Sequence, residues 1–346
     1  MAKQYEPVDR VKLGIVGVGM GQCFLHPLKD HPNAEVTTIC DINQERAKRV
    51  AKEFGVKSIY SDYKEMLAKA DINAVAVSTP NYLHAPIAIA AFEAGKHVLC
   101  EKPQATNAKE GQAMVDAGKK AHKIFMMGFN NRFRSDTQLL KTYIENGDLG
   151  DIYYAKTGWV RRSGIPGLGG WFTTKAMSGG GPLIDLGVHV LDLTLWLMGN
   201  PRPVSVMGSS YAKFGPKMAK EHGGTYDVED LAAGFIRLEN GATVILEASW
   251  AQFVERERIY VELCGTDGGA NLEPLKLFTT KNGAQVDITP QFRPVSGHDM
   301  ETKHFVQCVL TGQEPLATGE HGLHIMKILD AIYESTETGK SVEIAW

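Results

Sequence analysis

The stretch that decides the fold is Lys12-Leu13-Gly14-Ile15-Val16, followed at once by Gly17-Val18-Gly19-Met20-Gly21-Gln22. The first five residues form a short apolar run that is typical of a buried parallel strand. Glycines directly after such a strand let the backbone turn tightly and approach a pyrophosphate, whose charge then lies at the N-terminus of the next helix, predicted here for QCFLHPLKD. The stretch therefore predicts a dinucleotide-binding unit, whose phosphate-contacting residues are Gly17, Gly19, Met20 and Gly21.

An acidic residue after the second predicted strand indicates which dinucleotide binds. Asp41 follows the glycines by about 20 residues, the spacing at which a carboxylate hydrogen-bonds the adenosine ribose diol. A carboxylate there repels a 2′-phosphate and favours NAD, whereas Arg46, one turn into the next helix, can counter that preference and keeps NADP possible. Gln22 occupies the third glycine position of the strict pattern, so a glycine-rich turn beside a surface aspartate is the alternative interpretation.

The region around these motifs alternates short β-branched runs with helix-length amphipathic segments. This alternation continues to about Met127 and predicts βαβ units on a parallel sheet. Asn43 and Asp62 stand where helix N-caps are expected, and Gly55 stands where the first of these helices ends. Residues 1–127 are thus predicted to form a Rossmann domain, which places this part of the chain in the α/β class.

Beyond Gly150 the predicted elements are mostly strands, joined by glycine-containing turns. Asn240-Gly241 is the strongest hairpin signal in the chain, and Asp267-Gly268 is a second. A terminal amphipathic helix is predicted for HGLHIMKILDAIYESTETGK. Residues 128–346 are therefore predicted to form an α+β domain with an open-faced, largely antiparallel sheet, which binds substrate and a second subunit.

Composition excludes several functional classes. A chain of 346 residues with 43% hydrophobic and 22% charged residues has the make-up of a two-domain globular enzyme. Its net charge of −3 offers no basic field for nucleic acid. The five cysteines are scattered without a CxxC pair, the N-terminus is charged, and no apolar run is long enough to span a membrane, so a cytoplasmic protein is expected.

Two loops at the predicted carboxyl edge of the parallel sheet carry candidate ligand-binding residues. Ser78-Thr79-Pro80-Asn81-Tyr82-Leu83-His84 follows the fourth strand, where doubly wound folds keep their ligand crevice. The alternative is that Thr79 or Asn81 only caps the next helix and that His84 is a half-exposed first-turn residue. Lys102 closes the fifth strand and is placed to hold a substrate hydroxyl as a fixed cation.

The segment Ser178-Gly179-Gly180-Gly181-Pro182-Leu183-Ile184-Asp185-Leu186-Gly187-Val188-His189 suggests an acid–base pair. Pro182 is favoured at the first position of a helix, and Asp185 and His189, four residues apart, then share one helix face. On that face Asp185 can fix the tautomer of the imidazole while His189 exchanges a proton near neutral pH. No cysteine or histidine partner has metal-like spacing nearby, so no metal is expected.

A glycine-rich loop supplies further candidate substrate contacts. It runs from Arg161 to Trp171 and contains Arg162. An indole can cover the apolar face of a pyranose while a guanidinium donates to hydroxyls. A folded-back loop anchored by a buried Trp171 is the alternative.

These motifs, taken in order together with EKP at 101–103 and GFNNRF at 128–133, resemble the Gfo/Idh/MocA family of oxidoreductases over essentially the whole chain. The resemblance implies a Rossmann domain followed by an open-faced sheet domain, with Lys102, Asp185 and His189 as the catalytic set. It implies that Asn81, His84 and Glu101 line the nicotinamide end, with Thr79 and Pro80 in the same loop, and that Lys102-Pro103 is a cis peptide. Asn131 stands where family members often carry a substrate-contacting arginine, which favours a neutral polyol over an acidic substrate.

The resulting expectation is an NAD(P)-dependent enzyme that moves a hydride between the nicotinamide and a secondary alcohol or ketone of a sugar, glycoside or cyclitol. Substrate contacts are expected from Asn131, Arg162, Trp171, Asp185 and His189. One alternative is a glycoside-cleaving enzyme that recycles its NAD through transient oxidation and elimination, and another is a regulator that binds NAD without chemistry. A homodimer or homotetramer is expected, because the open face of the second sheet must bury its apolar side chains.

Overall fold

The computed structural model describes residues 4–346 and divides the chain into two compact units. The first unit runs up to Phe133 and takes in Val295–Leu323, whereas the second comprises Arg134–Pro294 and His324–Trp346. The predicted division, 1–127 and 128–346, assigns Val295–Leu323 to the second domain. The helix in Val295–Leu323 packs in the first unit, because its residues Phe305 and Val309 are buried in one hydrophobic cluster with Leu13 and Ile15.

The first unit contains, within the described residues, one parallel sheet. Its strands are β1 (Val11–Val16), β2 (Ala34–Cys40), β3 (Ser58–Tyr60), β4 (Ala74–Val77), β5 (His97–Glu101) and β6 (Phe125–Gly128), in the order β3-β2-β1-β4-β5-β6. Both β4 and β5 are buried at every position, as expected for strands covered on two faces. The strand order reverses between β1 and β4, so ligands of this unit are expected at the carboxyl ends of those two strands.

The helices of this unit follow the predicted ends. They are α1 (Gln44–Phe54), α2 (Tyr63–Lys69), α3 (His84–Glu93), α4 (Ala108–Ala121) and, after the second unit, α9 (Gly297–Thr311). The predicted caps are confirmed, because Asn43 accepts from the Arg46 amide and Asp62 from the Lys64 amide. Gly55 ends α1 in the left-handed conformation with φ +71°, which glycine adopts without steric cost.

The prediction of an α-helix directly after the glycine turn is wrong. In place of one α-helix over QCFLHPLKD, the chain forms two short 3₁₀ helices, Met20–Phe24 and His26–Leu28. Pro27 explains the difference, since it lacks an amide donor and its ring clashes with the carbonyl four residues before it. The glycine turn therefore leads into a tight 3₁₀ turn instead of a long helix.

The second unit contains, in the described part of the chain, a nine-stranded mixed sheet. Its strands are β7 (Ile152–Val160), β8 (Pro203–Tyr211), β9 (Leu231–Leu238), β10 (Thr243–Ser249), β11 (Arg258–Gly265), β12 (Gly268–Leu272), β13 (Leu275–Lys281), β14 (Ala284–Ile288) and β15 (Val342–Glu343). The order is β14-β13-β12-β11-β7-β10-β9-β8-β15, and only the β10–β7 pair is parallel. The predicted fold class and both predicted hairpins, at Asn240-Gly241 and Asp267-Gly268, are confirmed.

The helices of the second unit are α5 (Ser135–Glu145), α6 (Lys175–Ser178), α7 (Val188–Leu197) and α8 (Gly215–His222). The long helix α10 (Gly319–Thr338), predicted from its amphipathic pattern, begins in the first unit and ends in the second. Helix α7 is preceded by one turn of π-helix, Leu183–Gly187, and is buried along nearly its whole length. No helix among residues 4–346 is both long enough and apolar enough to cross a membrane.

Candidate active site

The glycine turn after β1 lies directly against the end of β4. Gly17 has φ +88°, and a Cβ at this position would overlap the carbonyl oxygen of Ser78. A Cβ at Gly21 would come within 2.8 Å of Ile15 Cγ2. These two glycines are thus required by the turn itself, and Gly19 and Met20 form its exposed outer edge. This places all four predicted phosphate-contacting residues at the carboxyl end of β1.

Asp41 binds the same turn from the end of β2. Its carboxylate accepts the Val18 amide at 2.9 Å and the Asn43 amide at 2.8 Å, and it is 4% exposed. Arg46 donates to both oxygens, from Nε at 3.0 Å and from Nη2 at 2.8 Å. Burial alone raises the pKa of Asp41, but the hydrogen bonds from Arg46, Asn43 and Val18 outweigh it and lower the pKa on balance. An ionised carboxylate, partly neutralised by a guanidinium, therefore stands where the ribose diol is expected.

The loop after β4 presents polar atoms that the described residues leave unsatisfied. Ser78 Oγ and Thr79 Oγ1 are buried, and neither atom has a hydrogen-bond partner among the described residues. Buried hydroxyls without partners are uncommon, and a polar ligand can satisfy them. Together with the glycine turn and Asp41, these hydroxyls fit a dinucleotide laid along the carboxyl edge of the sheet. Pro80 and Asn81 begin the following 3₁₀ turn, and Asn81 is 6% exposed.

His84 is a buried link between two loops. One ring nitrogen, Nδ1, lies 2.7 Å from the Pro103 carbonyl oxygen, and Nε2 lies 2.8 Å from the Thr79 carbonyl oxygen. Burial lowers the pKa of His84, although both carbonyls oppose that shift. A neutral ring donates to only one of the two carbonyls. His84 therefore fixes the Thr79 loop against the turn that carries Lys102.

Glu101 and Lys102 lie at the end of β5. The Lys102–Pro103 peptide is cis, as the resemblance implies. Glu101 is 8% exposed, and burial raises its pKa while His298 and Lys102 oppose the rise. Asn131 follows in the 3₁₀ turn Asn130–Phe133 and is half-buried in the same unit.

In the second unit, Asp185 lies in the π-helical turn and His189 lies in the first turn of α7. Single π-helical turns within helices are frequent at functional sites. The Trp250 indole Nε1 donates to Asp185 Oδ2 at 3.0 Å, and the Trp159 ring lies 5.8 Å from the His189 ring between centroids. The predicted acid–base residues therefore each contact a tryptophan, Trp250 directly after β10 for Asp185 and Trp159 of β7 for His189.

Glu229 supports this helix start and was not predicted from the sequence. Its carboxylate accepts the Gly181 amide at 2.9 Å, the Leu183 amide at 3.0 Å and the Tyr333 hydroxyl at 3.0 Å. The only sequence signal was an acidic pair before β9, which equally fits a surface turn. Trp250 was missed for a similar reason, because a tryptophan at a strand end usually indicates core packing.

The two remaining predicted substrate contacts lie on the loop before α6. Arg162 is exposed and donates to the Glu255 carbonyl at 2.9 Å. Trp171 is half-buried and stacks on Phe172, with centroids 3.8 Å apart. Phe172 in turn packs against the cluster of Leu186, Val228 and Trp250. The loop is thus connected to the aromatic surroundings of Asp185 through Phe172, whereas Arg162 is engaged locally.

Comparison with known proteins agrees with both units. Residues 11–129 match the Gfo/Idh/MocA family model described as an oxidoreductase family with an NAD-binding Rossmann fold, and residues 141–344 match the model of its C-terminal alpha/beta domain. A D-glucoside 3-dehydrogenase of Escherichia coli is 33% identical over 96% of this chain and 97% of its own length. A myo-inositol 2-dehydrogenase of Thermotoga maritima is 26% identical over 96% and 98%. A levoglucosan dehydrogenase solved with NADH and levoglucosan superposes with a TM-score of 0.86 at 27% identity, covering 97% of this chain and 99% of that one.

These matches confirm the predicted enzyme class and the predicted dinucleotide cofactor. Because the two family models together span most of the sequence, the likeness rests on the whole chain and not on isolated motifs. The chain belongs to the Gfo/Idh/MocA family of NAD-binding oxidoreductases.

Proposed function

We propose that this enzyme oxidises a secondary hydroxyl of a neutral pyranoside, with a glucoside as the best single candidate. The observation that carries the proposal is the Asp185–His189 helix start, where the carboxylate is fixed by Trp250 and the imidazole packs beside Trp159. Aromatic rings cover the apolar faces of sugars, and a carboxylate accepts their hydroxyls. The 33% identity with a D-glucoside 3-dehydrogenase over 96% of the chain supports the same class, and so does the neutral side chain of Asn131.

The proposed roles of the residues follow the family resemblance. NAD supplies the hydride acceptor when it is bound. His189 takes the proton from the substrate hydroxyl, and Asp185 orients the imidazole and stabilises its protonated form. Lys102 stabilises the negative charge that develops on the substrate oxygen. Gly17, Gly19, Met20, Gly21, Asp41 and the Thr79–His84 loop bind the dinucleotide, and Glu101 borders its nicotinamide end.

We further propose that the enzyme is a cytoplasmic homo-oligomer that associates through the open face of the second sheet. Met207 pairs with Phe235, which pairs with Ile245 on the next strand, so their side chains form one stripe across β8, β9 and β10. Met207 is 55% exposed and Phe235 is 45% exposed, which leaves apolar area that a second subunit can cover. The five cysteines, all within the described residues, are free thiols, in keeping with a reducing compartment. Sedimentation equilibrium tests the association, and a monomer at micromolar concentration contradicts it.

A substrate screen tests the activity. Aldoses, inositols and alkyl glucosides are incubated with NAD, and NADH is followed by its absorbance. We expect stoichiometric NADH from a glucoside and slower formation from inositols. Cleavage of the glycoside without accumulation of NADH would instead support the NAD-recycling alternative, and binding of NAD without turnover of any substrate would contradict both.

A further inference from the structure

Three side chains from distant parts of the sequence meet inside the first unit. They are Cys23 from the 3₁₀ turn after β1, Glu101 from the end of β5 and His298 from the first turn of α9. A thiol sulfur, a carboxylate oxygen and an imidazole nitrogen lie within 4.8 Å of one another. We propose that this cluster binds a divalent transition-metal ion of the zinc class.

The separation of the ligand atoms is close to that of an occupied site. With metal–sulfur and metal–nitrogen or metal–oxygen distances of about 2.3 and about 2.0–2.2 Å, tetrahedral ligands lie about 3.3–3.6 Å apart. The ligand atoms of the cluster lie within 4.8 Å of one another, so they need to approach by at most about 1.5 Å to reach that geometry. A mixed sulfur, nitrogen and oxygen set suits zinc or cobalt, whereas magnesium and calcium prefer oxygen ligands only.

An independent observation favours a cation ligand at this cluster. Glu101 is 8% exposed, and its Oε1 is buried without a hydrogen-bond partner in the described part of the chain. A second carboxylate, Glu301, is 0% exposed and belongs to the next turn of α9. Buried carboxylates are costly unless a positive charge or hydrogen-bond donors compensate them. A divalent ion bound at the cluster supplies that positive charge to Glu101.

The orientation of His298 also suits a metal ligand. Its Nε2 lies 3.1 Å from Asn130 Nδ2, and its Nδ1 lies 3.8 Å from Glu301 Oε2. Exchanging the amide oxygen and nitrogen of Asn130, which have nearly the same shape, lets Nε2–H donate to the amide oxygen. Nδ1 then keeps its lone pair for a metal ion, in the arrangement of metal-binding histidines, which commonly donate their other ring N–H to an oxygen. Glu301 Oε2, 3.8 Å from His298 Nδ1, adds a carboxylate beside the three ligands.

Metal titration of the whole, untagged, chelator-treated protein tests the proposal without any substrate. Zinc is titrated against a chromogenic chelator, and Co²⁺ is added separately to look for a thiolate-to-cobalt charge-transfer band in the near ultraviolet. We expect one site per chain, a cobalt band, and affinity that falls as the pH is lowered, because the ligands bind in deprotonated form. NAD binding is measured on the chelated protein, so the cofactor and the metal are scored separately.

Matched variants decide between this site and adventitious binding. Cys23→Ser should abolish the cobalt band, and Cys23→Ser and His298→Gln should each weaken zinc by at least about 100-fold while the melting temperature shows that both variants fold. The controls Cys264→Ser and His222→Gln alter exposed residues of the second unit and should leave zinc binding unchanged. An absent cobalt band in the wild type, or a band and affinity unchanged in Cys23→Ser, overturns the proposal and leaves a protonated carboxyl cluster.

Discussion

Replacing Arg46 by alanine tests how the first unit chooses between NAD and NADP. Arg46 donates two hydrogen bonds to Asp41, at 3.0 and 2.8 Å, while its own side chain is 38% exposed. Such a residue can stay on Asp41 when NAD binds, or it can turn to meet the 2′-phosphate of NADP. Arg46→Ala removes the second possibility and leaves Asp41 its two backbone donors, the Val18 and Asn43 amides.

The size of the effect follows from these contacts. A hydrogen bond to a charged group contributes about 1.5–3 kcal/mol, so loss of the guanidinium should weaken NADP by about 10–150-fold. NAD should change by less than about threefold, since Asp41 stays anchored to the glycine turn. Partial exposure of Arg46 screens its ion pair, so the free energy of unfolding should fall by only about 1 kcal/mol. Asp41→Ala should do the reverse and weaken NAD more than NADP, by about 1–3 kcal/mol.

Isothermal titration of each purified variant with NAD and with NADP measures these differences. Arg49→Ala is the matched control, because Arg49 lies in the same helix, is exposed and carries the same charge. It should leave the ratio of the two dissociation constants unchanged. Equal losses for both dinucleotides in Arg46→Ala, or in Asp41→Ala, would refute the assignment of this pair to the ribose site.

Four further variants test the second unit. His189→Ala should lower kcat/KM by about 10²–10⁴-fold with NAD affinity near that of the wild type, and the kcat/KM of Asp185→Asn should lie between those of the wild type and His189→Ala. A well-folded His189→Ala enzyme with normal turnover excludes His189 as the base. Trp250→Phe removes the indole donor to Asp185 Oδ2, so kcat/KM should fall about 10-fold and the basic limb of its pH profile should move. If Trp250 were purely structural, the substitution would lower the melting temperature alone. Glu229→Gln places an amide donor against the Gly181 or Leu183 N–H and should cost about 1–3 kcal/mol in urea unfolding. Burial raises the pKa of Glu229, so its contribution to the free energy of unfolding is full below the unfolded-state pKa of about 4.3 and is lost as the pH rises through the folded-state pKa. The difference in free energy of unfolding between the wild type and Glu229→Gln should therefore narrow with rising pH. A difference that does not depend on pH would argue against this titration.

Residue periodicity and turn chemistry predicted the two-part architecture and most element ends. Strand–turn–helix alternation before Met127 and hairpin signals such as Asn240-Gly241 are local properties, because they depend on residue period and on backbone freedom within a few residues. The candidate cofactor-binding residues were predicted mainly from their position at strand ends, whereas Asp185 and His189 were predicted from their spacing within a helix. The α-helix predicted over QCFLHPLKD was wrong because Pro27 lies inside it, and the chain forms two short 3₁₀ helices there.

Which side chains act on one another depends on how the elements pack in three dimensions. The hydrogen bond from Trp250 to Asp185 joins residues 65 positions apart, and the carboxylate of Glu229 reaches the amide of Gly181 across 48. The packing of α9 on the first unit brings His298 to Cys23 and Glu101, a set that no spacing in the chain reveals. Such contacts arise from burial of whole helices and strands, since an apolar face fixes where an element packs and its polar residues are then carried to partners that the local sequence does not specify.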